Sequence, residues 1–313
     1  MGVYILRRLL STIAVMAMVG LFIFLLLHIS SGDPAAIIAG DAATPQMIAE
    51  IHAKLGLDAP LPAQFAHWSM DVLHGDFGTS IFSGRPVLTL LLQRLPPTLS
   101  LSALTIVFSI VIAIGLGVAA AWRPGGGIDY FLTGFATLGF SVPVFVIGYF
   151  LVYLFAITLH WLPVQGYVPI HNGVLPWFTK LVLPSLTLST GYIALIARIT
   201  RGSMLEVLSE DYIRTAAAKG ASTTAILLKH ALKNAGVPIL TIVGIGIAGL
   251  IGGVVITETV FDIPGVGRLT VDAINNRDYP IIQGVLIIFS GAYVLINLCV
   301  DLAYTLLDPQ IRY

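Results

Sequence analysis

The segment EDYIRTAAAKGASTTAILLKHALKN, from Glu210 to Asn234, is a basic, alanine-rich island between two long apolar stretches. The chain around it has 313 residues, of which 57% are hydrophobic and only 10% are charged. Soluble domains carry about 25% charged residues, whereas this chain has a mean hydropathy of +0.94. The composition therefore predicts a membrane protein and excludes a soluble globular domain.

Apolar runs of about 20 residues, nearly free of charge, are long enough to cross a bilayer core of roughly 30 Å. Spanning segments of this length are helices, because every backbone polar group inside the bilayer needs a partner. We therefore predict an all-α polytopic membrane protein with about six transmembrane helices. The predicted spans are Leu9–Ile29, Leu99–Ala121, Phe131–Leu159, Leu181–Ile199, Val237–Thr257 and Ile281–Leu302. The third contains Pro143, which predicts a kink or an interfacial end.

The distribution of lysine and arginine predicts the orientation, since cytoplasmic flanks carry an excess of these residues. With an even number of spans both termini share one side, and basic residues are denser there. That side holds Arg7, Arg8, Arg123, Arg312 and the six basic residues from Arg198 to Lys233. Both termini and the island are therefore predicted to be cytoplasmic.

The predicted organisation has three parts. Residues 1–30 form the cytoplasmic N-terminal end and the first membrane helix, residues 31–97 an extracytoplasmic segment, and residues 98–313 a core of five membrane helices. The island lies in a cytoplasmic loop of that core, at 200–235.

The extracytoplasmic segment contains helix signals. In TPQMIAEIHAKLGL, Thr44 suits a helix N-cap, Pro45 the first helical position and Gly56 a stop. Such a segment is either a small structural cap or a docking or gating surface, and composition leaves both open.

The island itself predicts two short helices joined at a glycine. Ser209 is expected to cap the first, whose first turn carries Glu210 and Asp211 near the positive end of the helix dipole. Glu210 and Arg214 stand four residues apart, the spacing of a stabilising pair. Gly220 suits a left-handed helix stop.

Ser222 is expected to cap the second helix, which has an apolar face and a basic face. An amphipathic loop of this kind can rest on lipid headgroups. However, alanines and a glycine offer little apolar area for lipid and allow close approach of a protein surface. The second interpretation is favoured here.

RTAAAKG, from Arg214 to Gly220, resembles the EAA loop of binding-protein-dependent ABC transporter permeases. The family's leading glutamate is Arg214 here, and its later I-x-L-P motif is replaced by residues 230–233. Both departures resemble the dipeptide/oligopeptide branch, and the overall pattern is similar to its first permease subunit, including glutathione-type members. Further matching segments are GDPA (Gly32–Ala35), LGLDAPLPAQF (Leu55–Phe65), GDFGTS (Gly75–Ser80), LPPTLSLS (Leu95–Ser102), VFDIPGVGRL (Val260–Leu269), RDYP (Arg277–Pro280) and the C-terminal DPQIRY.

This resemblance implies an ABC importer permease fold in a bacterial inner (plasma) membrane, and transport of peptides or related small solutes. The implied partners are a homologous second permease subunit, two cytoplasmic ABC ATPase subunits and an extracytoplasmic solute-binding protein. The island would supply the coupling helix that enters a cleft of the ATPase. The residues implied in ATPase coupling are Glu210, Asp211, Tyr212, Arg214, Thr215, Ala216, Ala217, Lys219 and Gly220.

Motifs for catalysis are missing from the sequence. It has no Gly-Lys pair and hence no G-x-x-x-x-G-K-[ST] phosphate loop, and it has no H-E-x-x-H zinc motif. We therefore expect a non-catalytic subunit that binds no metal or cofactor, with ATP and Mg used by the partner ATPases. The alternative is a self-sufficient secondary transporter or channel, which predicts charged relays deep in the spans; few are present.

Polar or helix-distorting residues in the spans are candidates for the translocation path, because such groups are costly in a bilayer. Asn297 and Asp301 share one face of the last span, where Asp301 could pair with a basic residue or contact solute. Glu258 could line an outer vestibule or cap local backbone. Ser141 and Pro143 could shape the path through a kink.

The fifth span is rich in glycine. Gly249 and Gly253 form G-x-x-x-G, and Ala248 with Gly252 forms a similar small pair. This pattern predicts close helix packing, and the functional hypothesis is that the same interface faces the partner permease.

Overall fold

A computed structural model describes residues 2–29, 35, 44–55 and 58–307 of the chain. The main helices are α1 (Gly2–Ile29), α2 (Pro45–Leu55), α3 (Leu61–Leu73), α4 (Val87–Trp122), α5 (Gly127–Ser141), α6 (Val144–Leu151), α7 (Val174–Leu208), α8 (Asp211–Ala218), α9 (Gly236–Val260), α10 (Val266–Asn276) and α11 (Tyr279–Leu307). Within this part of the chain the extended backbone forms only an isolated bridge, between Thr79 and Pro86. The predicted all-α class is confirmed. Gly56, most of the GDPA motif and the C-terminal DPQIRY lie outside the described residues.

Among the described residues, four helices, α4, α7, α9 and α11, are long and apolar enough to cross a membrane, and α1 contributes the apolar stretch Leu10–Leu25. The third predicted span is two helices, because α5 and the α6 segment meet at an angle of 112°. Pro143 has no N–H to continue the helix, and its ring disfavours helical backbone at Val142. Val142 is indeed extended, with φ −96° and ψ 126°. The predicted kink is confirmed, but it is sharp enough to end one helix and begin another.

Residues 95–268 and 295–313 make up one compact unit. At its centre α7 packs against α5, α6 and α9. Glycines permit close approach of other helices to α7: a Cβ on Gly117 of α4 would lie 2.6 Å from the Thr200 Cβ of α7. A Cβ on Gly253 would lie 2.7 Å from Leu188 Cδ1, so the predicted close packing is confirmed there, whereas the neighbouring Gly252 has no such atom within 4 Å.

Residues 1–94 and 269–294 make up the other compact unit. The ring of Phe24 in α1 contacts two rings of α3, Phe65 at 5.4 Å and Trp68 at 5.8 Å between centroids. Thr44 caps α2 as predicted, because its Oγ1 accepts a hydrogen bond of 3.3 Å from the Met47 N–H. The beginning of α4 contacts α11, where a Cβ on Gly284 would lie 2.8 Å from Val87.

Candidate functional site

The candidate coupling segment, Glu210–Gly220, begins differently from the prediction. Ser209 does not cap α8, because its backbone is still helical, with φ −81° and ψ −13°. Its hydroxyl instead donates a hydrogen bond of 2.7 Å to the carbonyl of Glu206, at the end of α7. Glu210 is the residue with extended backbone before α8, and its side chain makes no capping hydrogen bond. The helix therefore begins one residue later than a Ser209 cap would require.

Arg214 pairs with Asp211 and not with Glu210. Its Nη1 lies 3.1 Å from the Asp211 carboxylate, and both side chains are exposed. Glu210 stands outside the helix, so the four-residue spacing does not bring it above Arg214 as it would within one. Exposed pairs of this kind contribute little to stability, typically about 0.2–1 kcal/mol.

The end of α8 has the predicted glycine stop. Gly220 has φ +82°, and its N–H donates to the Ala217 carbonyl while the Ala221 N–H donates to the Ala216 carbonyl. This pair of hydrogen bonds is a Schellman motif, which satisfies carbonyls at a helix end. Ser222 then caps the next segment as predicted, accepting a 3.3 Å hydrogen bond from the Ala225 N–H.

Two contacts hold α8 on the rest of its unit. Ile213 is only 6% exposed and packs in a hydrophobic core with Met204 of α7 and Ile226. The Tyr212 hydroxyl accepts a hydrogen bond of 2.6 Å from Asn234 Nδ2. Because these contacts lie on one side, the helix has a fixed roll and presents its other side outward.

The nine predicted coupling residues lie together on α8 and its two ends. Eight are exposed and Ala216 is half-buried. This surface has low relief, meaning that few side chains project from it, because residues 216–218 are alanines and residue 220 is a glycine. Charged side chains surround it at Asp211, Arg214 and Lys219. A surface of small side chains permits close approach of a complementary protein cleft.

The candidate path residues are distributed over several elements, and Asn297 and Asp301 share one of them. Ser141 is exposed at the end of α5, where its hydroxyl donates a 2.8 Å hydrogen bond to the Thr137 carbonyl. Pro143 is exposed at the break between α5 and α6, and Asn297 and Asp301 are half-buried on α11.

Glu258 is fully buried near the end of α9. Its Oε1 accepts a 2.5 Å hydrogen bond from the Thr98 hydroxyl, which itself accepts one of 2.8 Å from the Val266 N–H. Its Oε2 accepts a hydrogen bond of 3.0 Å from the Arg268 N–H. A carboxylate is favourable at the N-terminus of a helix, where N–H groups lack partners. Of the two roles considered, these hydrogen bonds are those of a backbone cap, applied to α10.

An ion pair between α5 and α7 was not predicted from the sequence. Arg201 of α7 binds Asp129 of α5 through Nε and Nη2, the second contact being 2.7 Å, and the Gly125 N–H donates to the same carboxylate at 2.9 Å. Asp129 is buried. The sequence does mark Asp129, because it is the sole acidic residue between Asp76 and Glu206. A lone charge in an apolar region needs a partner.

A second missed contact joins two of the quoted motifs in the unit that contains α1. The Ser80 hydroxyl of GDFGTS donates a 2.6 Å hydrogen bond to Asp278 of RDYP, and the Ile81 N–H donates to the other Asp278 oxygen at 3.3 Å. Asp278 is only 2% exposed. Gly75 and Gly78, with φ +83° and +77°, provide the turns that deliver Ser80.

Comparisons with known proteins agree on one family. Its model, Binding-protein-dependent transport system inner membrane component, matches residues 113–313, and the N-terminal membrane-component model matches residues 1–102. The chain is 68% identical, over the full length of both proteins, to the probable peptide ABC transporter permease protein y4tP of Sinorhizobium fredii (strain NBRC 101917 / NGR234). It is 43% identical, over 99% of both proteins, to the glutathione transport system permease protein GsiC of Salmonella typhimurium.

Among solved structures, a chain of the inward-facing MetNI methionine ABC transporter aligns with a TM-score of 0.58. The alignment covers 71% of this chain and 97% of that one, at 19% sequence identity. This likeness confirms the expected fold.

Proposed function

The chain belongs to the family of inner membrane components of binding-protein-dependent transport systems, and we propose that it imports peptides or related small solutes. It is a multi-pass permease of an ABC importer, as its relatives and its fold indicate. The names of those relatives, a probable peptide permease and a glutathione permease, support the proposed solute class.

The observation that carries the coupling mechanism is the geometry of α8. Its inner side is held on the rest of its unit by the buried Ile213 and by the Tyr212–Asn234 hydrogen bond, and its low-relief side is exposed. Helix α8 follows α7 after two residues, and α7 packs on α5, α6 and α9. A push on α8 by an ATPase cleft would therefore be passed to α7 and to the helices around it.

An exposed stripe on α9 supports pairing with a second permease. Ile245, Gly249, Gly252, Ile256 and Thr259 are exposed, at alternating spacings of four and three residues. This is the spacing of a helix–helix seam, and small residues within it permit close approach in a membrane. We call these five residues the α9 seam.

The outer surface is proposed to receive the solute-binding protein. The GDFGTS and RDYP turns are joined through Ser80 and Asp278, so this part of the surface is held in one shape. We assign residues 31–97 to the extracytoplasmic side, residues 1–30 to the first span with its cytoplasmic end, and the loop 200–235 of the 98–313 core to the cytoplasm.

In the proposed cycle this chain does no chemistry and binds no cofactor. Two cytoplasmic ATPase subunits bind ATP and Mg, and their closure moves α8. The two permeases then alternate between outward-facing and inward-facing arrangements in the bacterial inner membrane. The ion pair between Asp129 and Arg201 would keep α5 and α7 together during that motion.

The test is uptake by the complete importer reconstituted in liposomes, with labelled dipeptide, longer peptide and glutathione as solutes and a free amino acid as the control. We expect uptake that requires internal ATP, the ATPases and the binding protein. Uptake by this chain alone, without ATP, would replace the importer by a self-sufficient carrier. Uptake of the free amino acid, with no uptake of dipeptide, longer peptide or glutathione, would reject the proposed solute class.

A further inference from the structure

A cavity of about 200 Å³ lies between α5 and α7. It is lined by Leu132, Thr133, Ala136, Thr137, Phe140, Arg198 and Arg201. Cavities that hold drug-sized molecules have about 300–1,000 Å³, so this one is smaller than a typical site for such a molecule. It has room for several water-sized groups, at about 30 Å³ each, and hence for a small polar headgroup.

The polar groups of the cavity favour an anion. The Thr133 and Thr137 hydroxyls donate to backbone carbonyls, at 2.9 Å each, so their protons are already used. The two arginines supply the available donors, and no carboxylate is among the lining residues. An anion would therefore be bound by guanidinium groups, with threonine oxygens beside them.

The two arginines differ in how their charge is balanced. Arg201 is paired with Asp129 through Nε and Nη2, and its Nη1 makes no hydrogen bond within the described residues. Arg198, in contrast, makes no ion pair within the described residues. Its guanidinium carbon lies over the Phe140 ring, 5.9 Å from the ring centroid. A cation–π contact leaves the N–H donors of a guanidinium available. The cavity thus has one uncompensated positive charge.

Aromatic residues place the cavity near the edge of the membrane. Trp122 ends α4 and Tyr130 lies in the first turn of α5, after a short connection, and they are 42% and 72% exposed. Tryptophan and tyrosine are enriched at the membrane–water boundary. Arg201 is tied to that level through Asp129, and Arg198 lies about 4.5 Å deeper at 1.5 Å per residue. Arg198 is nevertheless exposed.

We propose that this cavity binds the phosphate of an anionic phospholipid, with Arg198 as the principal contact and Arg201 as the second. An exposed arginine at this depth is costly unless its head reaches a polar partner. Basic pockets between transmembrane helices on the cytoplasmic side are suited to anionic headgroups. The apolar side chains of Leu132, Ala136 and Phe140 line the cavity where the acyl chains begin.

The test measures the thermal midpoint of the complete importer in neutral detergent during titration with dihexanoylphosphatidylglycerol. We expect a saturable rise with this lipid and none with dihexanoylphosphatidylcholine. Arg198→Gln should raise the half-saturating concentration about tenfold, the factor that corresponds to one charge-assisted hydrogen bond. Arg198→Lys keeps the charge and should bind more tightly than Arg198→Gln. Arg123→Gln removes an exposed arginine outside the cavity and should leave the titration unchanged.

A second variant tests whether the lipid response depends on the cavity itself or only on the charge of the arginines. Thr137→Trp changes an exposed position at the cavity wall, keeps both arginines and should weaken the lipid response by occlusion. Equal responses of wild type and Arg198→Gln, or an equal response to the phosphatidylcholine, would overturn the proposal. A saturable Arg198-dependent response to inorganic phosphate at the same concentrations would overturn the lipid and indicate a small-anion site.

Discussion

At the scale of single residues, Glu258 is fully buried and accepts hydrogen bonds on both carboxylate oxygens. It holds the first turn of α10 through the Thr98 hydroxyl and the Arg268 N–H. A Cβ on Gly265 would overlap the Glu258 carboxylate, so this turn is built around it. The residue is best understood as a structural cap, and its carboxyl group serves the fold of the turn before α10.

Glu258→Ala should therefore destabilise the protein. Leaving a buried donor without its acceptor costs about 1–3 kcal/mol, and both donors would lose theirs. We expect a lower thermal midpoint of the purified complex in detergent. Asp272→Ala, at an exposed position of α10, is the control and should change the midpoint little; equal shifts would refute the capping role.

A comparison of two glycines in α4 tests the close packing of α4 on α7. Gly117→Ala would place a methyl group 2.8 Å from the Ala197 carbonyl oxygen, and overpacking of this kind costs about 1–3 kcal/mol. Gly115 has no such neighbour within 4 Å, so Gly115→Ala should be neutral or slightly stabilising. Thermal midpoints of the two variants should differ in that direction. Two indistinguishable midpoints would contradict the packing.

At the scale of elements, α8 depends on its stop. Gly220 adopts φ +82°, and a β-branched residue there is strained by about 1–3 kcal/mol. Gly220→Val should shift or fray the end of α8 and lower the amount of solute imported per ATP hydrolysed. Gly202→Val is the matched control, because Gly202 lies within α7 with no neighbour within 4 Å of a Cβ. An unchanged ratio in Gly220→Val would remove the stop from the coupling mechanism.

The α9 seam gives a second prediction for an element. Gly252→Ile adds a side chain where no atom lies within 4 Å of a Cβ, so the chain should fold while its association with a second permease weakens. Gly115→Ile adds the same bulk to an exposed position of α4. Quantitative co-purification of the second permease should fall for the first variant only. A similar yield for both would show that α9 is not the contact.

At the scale of the whole molecule, the class and most elements were predictable because they depend on local properties. Apolar runs of span length predicted the membrane helices, and Thr44, Gly220 and Ser222 fulfil their predicted capping roles. The Ser209 error is a shift of one residue at a helix boundary, where propensity is least informative.

What could not be predicted depends on residues far apart in sequence. Thr98 and Glu258 are 160 positions apart, and Ser80 and Asp278 are 198 apart. Only tertiary packing brings such groups together, so a single sequence names the polar residues but not their partners. The same holds for Asp129, whose isolation was visible while Arg201 as its partner was not. Likewise Pro143 predicted a bend but not its angle of 112°.

The central claim is that the exposed side of α8 is the docking surface of the ATPase. Ala217 is exposed on that helix, and Ala66 is exposed on α3, which we assign to the opposite side of the membrane. The measurement is the yield of ATPase that co-purifies with this chain from its native membrane in detergent. We expect Ala217→Arg to lose the ATPase and Ala66→Arg to retain it. Full retention by Ala217→Arg, at equal expression, would contradict the claim.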